Sequence, residues 1–254
     1  MADPSYVFYA GIRKYGVQEV LHRFAYPKLD SFSQFTVDCE PEQVLKEVSN
    51  SDAIPSISKL RQEFVNVQSG LSQRYKESKL EYPSWFAIES STSFLLYSLV
   101  RILKPLNAVE TGVANGHSSF VILSALEANG SGALHSFDLT KNVGNLVTEE
   151  QRERWDLIVL PERGRNKAFS RSIERLKGID FFLHDSNHLY YWQKLEYKVA
   201  WSNLNERGIL MSDDVDSSFA FLDFCKEKKL RPVFLFDKRK MVGLTRKPAV
   251  KETT

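Results

Sequence analysis

Cysteine is scarce: Cys39 and Cys225 are the only two in a chain of 254 residues. Neither lies in a CxxC or CxH pattern, which excludes a thiolate zinc site. A chain of this length buries a full core without a disulfide, so the two need not be bridged. An excess of one charge is lacking too. Against 34 Lys and Arg stand 32 Asp and Glu, and the net charge of +2 falls short of a nucleic-acid footprint. At 26% charged residues the chain is close to the soluble average, so low complexity and disorder are not expected. No long apolar run occurs: residues 94–106 are the most apolar stretch, and Arg101, Lys104 and Pro105 interrupt it. The opening residues, MADPSYVFYAGIRKYG, have no basic segment before an apolar run. These absences lead to the expectation of a soluble, cytoplasmic protein that engages neither membrane nor nucleic acid.

What is present changes texture near residue 106. Before it the chain reads as helices. EPEQVLKEVSN keeps helical spacing after Pro41, and Ile57, Leu60, Phe64, Val67 and Leu71 share one face. A further helix, about Ser90 to Lys104, ends at Pro105. After it come the apolar runs 106–110, 133–138, 156–161, 179–185 and 208–214. Helical patterns separate them: Ser118 to Ala128, Thr148 to Trp155, Lys167 to Lys177 and His188 to Leu204. Strands apolar throughout and separated by helices predict a parallel sheet buried on both faces, hence a doubly wound α/β sandwich. After a helix at Ser217 to Lys229, runs 231–236 and 241–246 flank the polar turn Asp237-Lys238-Arg239-Lys240 and predict an antiparallel hairpin. The expected sheet is therefore seven-stranded. The expected division is an N-terminal helical extension (1–81), an α/β domain (82–246) and a tail (247–254).

Ligands of such sheets bind outside the carboxyl ends of the strands. Here four of the first five strands end on acid: Glu110, Asp138, Asp185 and the pair Asp213-Asp214. Any one acid could simply cap a helix. Four on one rim make a negative field that favours a cationic ligand, a metal ion, or both. The first strand–helix turn, Glu110-Thr111-Gly112-Val113-Ala114-Asn115-Gly116, lacks the GxGxxG of a dinucleotide site, and its acid is unsuited to a pyrophosphate. A nicotinamide-dependent oxidoreductase is disfavoured on that ground.

VETGVANGHSS and HSFDL resemble the first two motifs of class I S-adenosylmethionine-dependent methyltransferases, over about residues 82–246. The family's Rossmann-like sheet ends in the same kind of hairpin. IDFFLHDSNHLYYWQKLEYKVAWSNLNERGILMSDDV resembles the small-molecule O-methyltransferase branch, which includes family 24 and cephalosporin-hydroxylase-like proteins. The resemblance implies that Glu110, Gly112, Gly116, His117, Ser118 and Asp138 bind S-adenosylmethionine, Asp138 through the ribose. Ser118 could equally be an N-cap. It places the adenine side near Gly164-Arg165-Asn166, where the match is poor. It makes Asp185, Asp213 and Asp214 ligands of a divalent cation, Mg²⁺ by the hardness of the donors. The alternative for the paired aspartates is a turn with a helix cap.

Catalysis by direct displacement is implied, with Asp185 and His188 as catalytic candidates. Relatives often carry a carboxylate two positions after the first metal ligand, where this chain has Asn187. His188 could act as base or could orient a ligand, while His184 reads as a core histidine. The aromatic stripe Tyr190, Tyr191, Trp192, Tyr197 and Trp201 reads mainly as packing, with Tyr190 and Trp192 as candidate acceptor contacts. Tyr82, Pro83, Trp85 and Phe86 occupy a segment that covers cofactor or substrate in relatives. The N-terminal helices have two readings, a cover over the site or a homodimer surface. The expected acceptor is a small hydroxylated molecule, a sugar or secondary metabolite. The rival reading is a cofactor-binding or regulatory protein without catalysis.

Overall fold

The computed structural model describes residues 27–49, 56–238 and 240–249. The first 26 residues, Arg239 and the end of the predicted tail lie outside the described residues. The helices are α1 (Pro41–Ser49), α2 (Ile57–Glu77), α3 (Ser90–Leu103), α4 (His117–Asn129), α5 (Arg165–Arg175), α6 (Tyr190–Asn203) and α7 (Ala220–Lys228). The strands are β1 (Thr36–Asp38), β2 (Asn107–Thr111), β3 (Ala133–Asp138), β4 (Trp155–Val159), β5 (Ile179–His184), β6 (Leu204–Ser212), β7 (Val233–Asp237) and β8 (Lys240–Arg246). They form one sheet in the order β1-β7-β8-β6-β5-β2-β3-β4. Only β8 runs antiparallel to its neighbours.

Strand alternation divides the core in two. Ala108, Phe181 and Leu183 face a layer built on Leu60, Phe64, Phe94, Leu99 and Leu123. Their chain neighbours Val109 and Phe182 face the opposite layer, with Phe169, Tyr197, Trp201, Phe221 and Phe224. Successive side chains of a strand point to opposite faces, so a strand covered on both sides must be apolar at every position. That is why the runs read as continuous.

Three details depart from the sequence reading. An eighth strand, β1, pairs in parallel with β7 at the sheet edge; three residues are too few to show a period of two. The stretch 148–155 holds one 3₁₀ turn, Gln151–Arg154, in place of the predicted helix. A capping box forms there, Gln151 N donating to Thr148 Oγ1 and Thr148 N to Gln151 Oε1, both at 3.2 Å. Trp155, however, already belongs to β4, where its Nε1 donates to Ser136 Oγ at 2.7 Å. Last, Lys240 opens β8 rather than closing a turn, and it pairs with Asp237.

Topology sets the site. The carboxyl ends of β2, β3, β5 and β6 lie along one rim, and antiparallel β8 brings its first residue to that same rim.

Candidate active site

A cavity of about 560 Å³ opens on this rim, within the size range of small-molecule sites. One wall is the turn after β2. Gly112 has φ +82°, and a Cβ there would meet the Asp185 carbonyl oxygen at 2.1 Å, so only glycine lets the two loops approach. Asp138 locks this wall from the next strand. Its Oδ2 accepts from Val113 N at 2.9 Å and its Oδ1 from Leu139 N at 2.6 Å. Asn115 holds the segment before α3, accepting from Tyr82 N at 3.0 Å and donating to Tyr82 O at 2.7 Å. Tyr82, Trp85 and Phe86 thereby line the cavity, with Trp85 68% exposed.

His117, at the start of α4, is pinned from both sides: Nδ1 lies 3.0 Å from Tyr75 Oη and Nε2 2.9 Å from Ser93 Oγ. Burial pushes its pKa down to about 4, so the ring is neutral. Glu110 turns away from the cavity beneath α4. It accepts from Ser119, from Ser136 at 2.6 Å and from Ser118 at 3.0 Å. Burial raises its pKa to about 7 against the pull of those three hydroxyls.

The opposite wall carries the other acids. Asp185 and Asp214 line the cavity, while Asp213 is 1% exposed behind them. His188 sits between the two, Nδ1 3.4 Å from Asp214 Oδ2 and Nε2 3.8 Å from Asp185 Oδ1. Burial, reinforced by His184, lowers its pKa to about 4, and Asp214 only partly offsets this. Burial and then Asp213 raise Asp185 well above the carboxylate range, and burial and Asp214 bring Asp213 to about 6. Behind them His184 Nδ1 is 2.6 Å from Glu196 Oε2, which also accepts from Thr111 Oγ1 at 2.6 Å. Glu196, 1% exposed, is a node that joins β2, β5 and α6.

Lys240 enters this cluster from β8. Its Nζ donates to Asp213 Oδ2 at 3.1 Å and lies 3.4 Å from Asp214 Oδ2. Burial works to lower the pKa of Lys240, but the two aspartates outweigh it and hold the ammonium above the usual lysine value.

Residues 109–215 match the family model of a methyltransferase domain. The matched stretch runs from β2 through β6. No curated protein sequence matches the chain. Among solved structures, the O-methyltransferase from Bacillus cereus in complex with SAH is 14% identical, with a TM-score of 0.54 over 85% of this chain and 100% of that one. The O-methyltransferase TomG from Streptomyces achromogenes, involved in tomaymycin synthesis and bound to SAM, is 15% identical, with a TM-score of 0.56 over 72% and 90%. The SAH-bound methyltransferase PaMTH1 from Podospora anserina is 14% identical, with a TM-score of 0.52 over 89% and 99%. At these identities the likeness establishes the fold, that of class I methyltransferases.

Of the residues singled out in the sequence, Gly112, His117, Ser118, Asp138, Asp185, His188 and Asp214 line the cavity. Two cofactor candidates act from behind. Glu110 is wholly buried against seryl hydroxyls because its place in β2 points it under α4. Gly116, at φ +86°, makes room for Gly144, whose Cα would lie 2.8 Å from an added Cβ. Tyr190 is turned outward to Asp223, its hydroxyl donating at 2.7 Å, whereas Trp192 reaches the cavity and donates to Ser186 Oγ at 3.1 Å. Arg165, in the poorly matching adenine-side stretch, also lines the cavity.

The divalent ion does not fit the residues as they stand. Mg²⁺ holds carboxylate oxygens at about 2.0–2.1 Å in an octahedron. The Lys240 ammonium already sits against the oxygens of Asp213 and Asp214 that the ion would need. Among the described residues, no group of three or more His, Cys, Asp and Glu side chains is arranged to hold a metal. The physical reason is that a lysine supplies part of the charge that the acids demand.

Proposed function

We propose that the chain is an S-adenosylmethionine-dependent O-methyltransferase acting on a small hydroxylated molecule, a sugar or a secondary metabolite. The observation that carries this reading is the two-sided cavity. Its first wall has the cofactor-type turn at Gly112 and Asp138, and its second has an acid–histidine–lysine cluster suited to an oxygen nucleophile. The first wall would hold the ribose at Asp138 and the carboxylate of the cofactor near the start of α4, where unpaired N–H groups attract anions.

The transfer is one displacement. The acceptor oxygen forms a bond to the methyl carbon as the carbon–sulfur bond breaks, and that electron pair neutralises the sulfonium. The hydroxyl proton passes to His188, which is neutral at physiological pH and whose Nε2 has no hydrogen-bond partner among the described residues. Asp185, 3.8 Å from that nitrogen, is the nearest carboxyl group to the proton that His188 acquires. Alignment of the two reactants in one hollow supplies much of the acceleration.

Calorimetry with S-adenosylhomocysteine, followed by turnover of S-adenosylmethionine over a panel of hydroxyl acceptors, tests the reading. His188→Ala should lower turnover by about 100-fold or more, with cofactor affinity unchanged. Cofactor binding without turnover on any acceptor would favour the regulatory alternative. No binding at all would remove both.

A further inference from the structure

We propose that Lys240 takes the place of a divalent cation in this site: its ammonium positions the acceptor oxygen and balances the acids, so that methyl transfer needs no added metal. The inference rests on the O-methyltransferase reading and says how that reaction is served.

Three observations carry it. The first is position. Lys240 is the first residue of β8, and β8 runs antiparallel to β6, with Gly243 opposite Ser212. The start of β8 therefore lies at the carboxyl end of β6, the end that bears Asp213 and Asp214. A parallel strand there would deliver its other end. The second is occupancy. Nζ lies 3.1 Å from Asp213 Oδ2 and 3.4 Å from Asp214 Oδ2, with the lysine side chain only 15% exposed. Its charge is little screened by water there, and an ion bound to those oxygens would have to displace it. The third is unused capacity. An ammonium has three N–H donors; one donates to Asp213, and a second is available to Asp214, 3.4 Å away. The remaining one lies in a residue that lines the cavity, beside Asp185 and His188. It can hold the acceptor oxygen while the proton leaves for His188 and stabilise the oxygen as negative charge develops on it.

The balance is closed within the protein. Carbon–oxygen bond formation and carbon–sulfur bond cleavage need no oxidant or reductant, and the proton released from the hydroxyl stays on His188 until solvent takes it. Lys240 keeps its own proton throughout.

Mn²⁺ binding, followed by electron paramagnetic resonance, tests the proposal independently of any acceptor. The native chain should bind no Mn²⁺ at the site, and Lys240→Ala should bind one ion, because removing the ammonium leaves three acids uncompensated. Lys240→Gln, of similar length and uncharged, covers the case in which the alanine variant does not fold. Once an acceptor is found, turnover of the native protein should be unchanged by a chelator. Lys240→Gln should then lose on the order of 100-fold in kcat, with affinity for S-adenosylhomocysteine unchanged. Stoichiometric Mn²⁺ binding by the native protein, loss of its turnover on chelation, or failure of both variants to bind Mn²⁺ would each overturn the proposal. Cofactor binding reports separately on the parent reading: if S-adenosylhomocysteine does not bind, that reading fails, whatever the Mn²⁺ result.

Discussion

The two walls of the cavity solve the same problem, acids at strand ends, by different means. On the first wall, Glu110 and Asp138 form no ion pair among the described residues. Glu110 is satisfied by seryl hydroxyls, and Asp138 by backbone N–H groups of its own and the neighbouring turn. On the second wall neutral donors are too few. Burial and the neighbouring aspartates raise the pKa of Asp185 and of Asp213, Asp213 Oδ1 has no partner among the described residues, and the compensating charge is a lysine from the β7–β8 hairpin. A wall built on neutral donors can be prepared in advance for a ligand that brings its own positive charge. A wall that balances charge with charge keeps a donor for an acceptor that brings none.

The sharpest way to break this contrast is through pH, because the hidden acid of the first wall should titrate late. Glu110 ordinarily ionises near 4.5, and in the fold burial moves it to about 7. Between those values the folded protein keeps a proton that the unfolded chain releases. Stability should therefore fall as pH rises from 4.5 to 7, with the loss complete above 7. A shift of this size corresponds to about 3 kcal/mol. Glu110→Gln keeps the shape and lets the hydroxyls rotate to suit the amide, so the difference between the two proteins isolates this one group. Urea denaturation from pH 4.5 to 8 should show that difference growing across the window. A constant difference would mean that the seryl hydroxyls hold the carboxylate ionised throughout.

The contrast also explains what could be read from the chain. Parallel strands buried on both faces leave an unbroken apolar signature, so β2 to β6 and the rim they end on were legible, as was the local turn from Glu110 to Gly116. Lys240 was not. Its partners lie across the sheet, and in DKRK it looks like one more charge in a solvated turn, while the strand pairing that points it inward is set by β6 and β7. Glu196 was hidden for a related reason: within EYKVAW nothing local distinguishes an acid on a helix surface from one buried against His184. Direction of a side chain within a strand could be read from alternation, and Glu110, between Val109 and Thr111, follows that rule into the layer beneath α4 rather than into the hollow.

A middle-sized effect should come from Asp138, which serves both the turn and the ligand. Asp138→Ala removes the acceptor of Val113 N and Leu139 N together with the expected ribose contact. Affinity for S-adenosylhomocysteine should fall by about 30-fold, or about 2 kcal/mol, a loss typical of hydrogen bonds to a charged group. Calorimetry measures it directly. Lys240→Gln, on the other wall, should leave that affinity unaltered, so equal losses from both variants would erase the division of labour between the walls.

The smallest effect belongs to Asn187, the position at which a proton-accepting carboxylate would stand in relatives. Here its Oδ1 accepts from Leu189 N at 2.9 Å, immediately before α6. The side chain thus closes the turn that leads His188 into the cluster, and an uncharged amide does so without adding a fourth acid to Asp185, Asp213 and Asp214. Asn187→Ala should cost about 1 kcal/mol of stability, as the loss of a local cap does, and turnover should change by less than the His188→Ala loss. Asn187→Asp keeps the hydrogen bond but brings a negative charge beside Asp185 and Asp213, whose pKa values are already raised by burial and by neighbouring acids, so it should be the less stable of the two above pH 6. If the aspartate variant is instead the more stable and the faster, the second wall has room for another acid, and its charge is less evenly balanced than Lys240 implies.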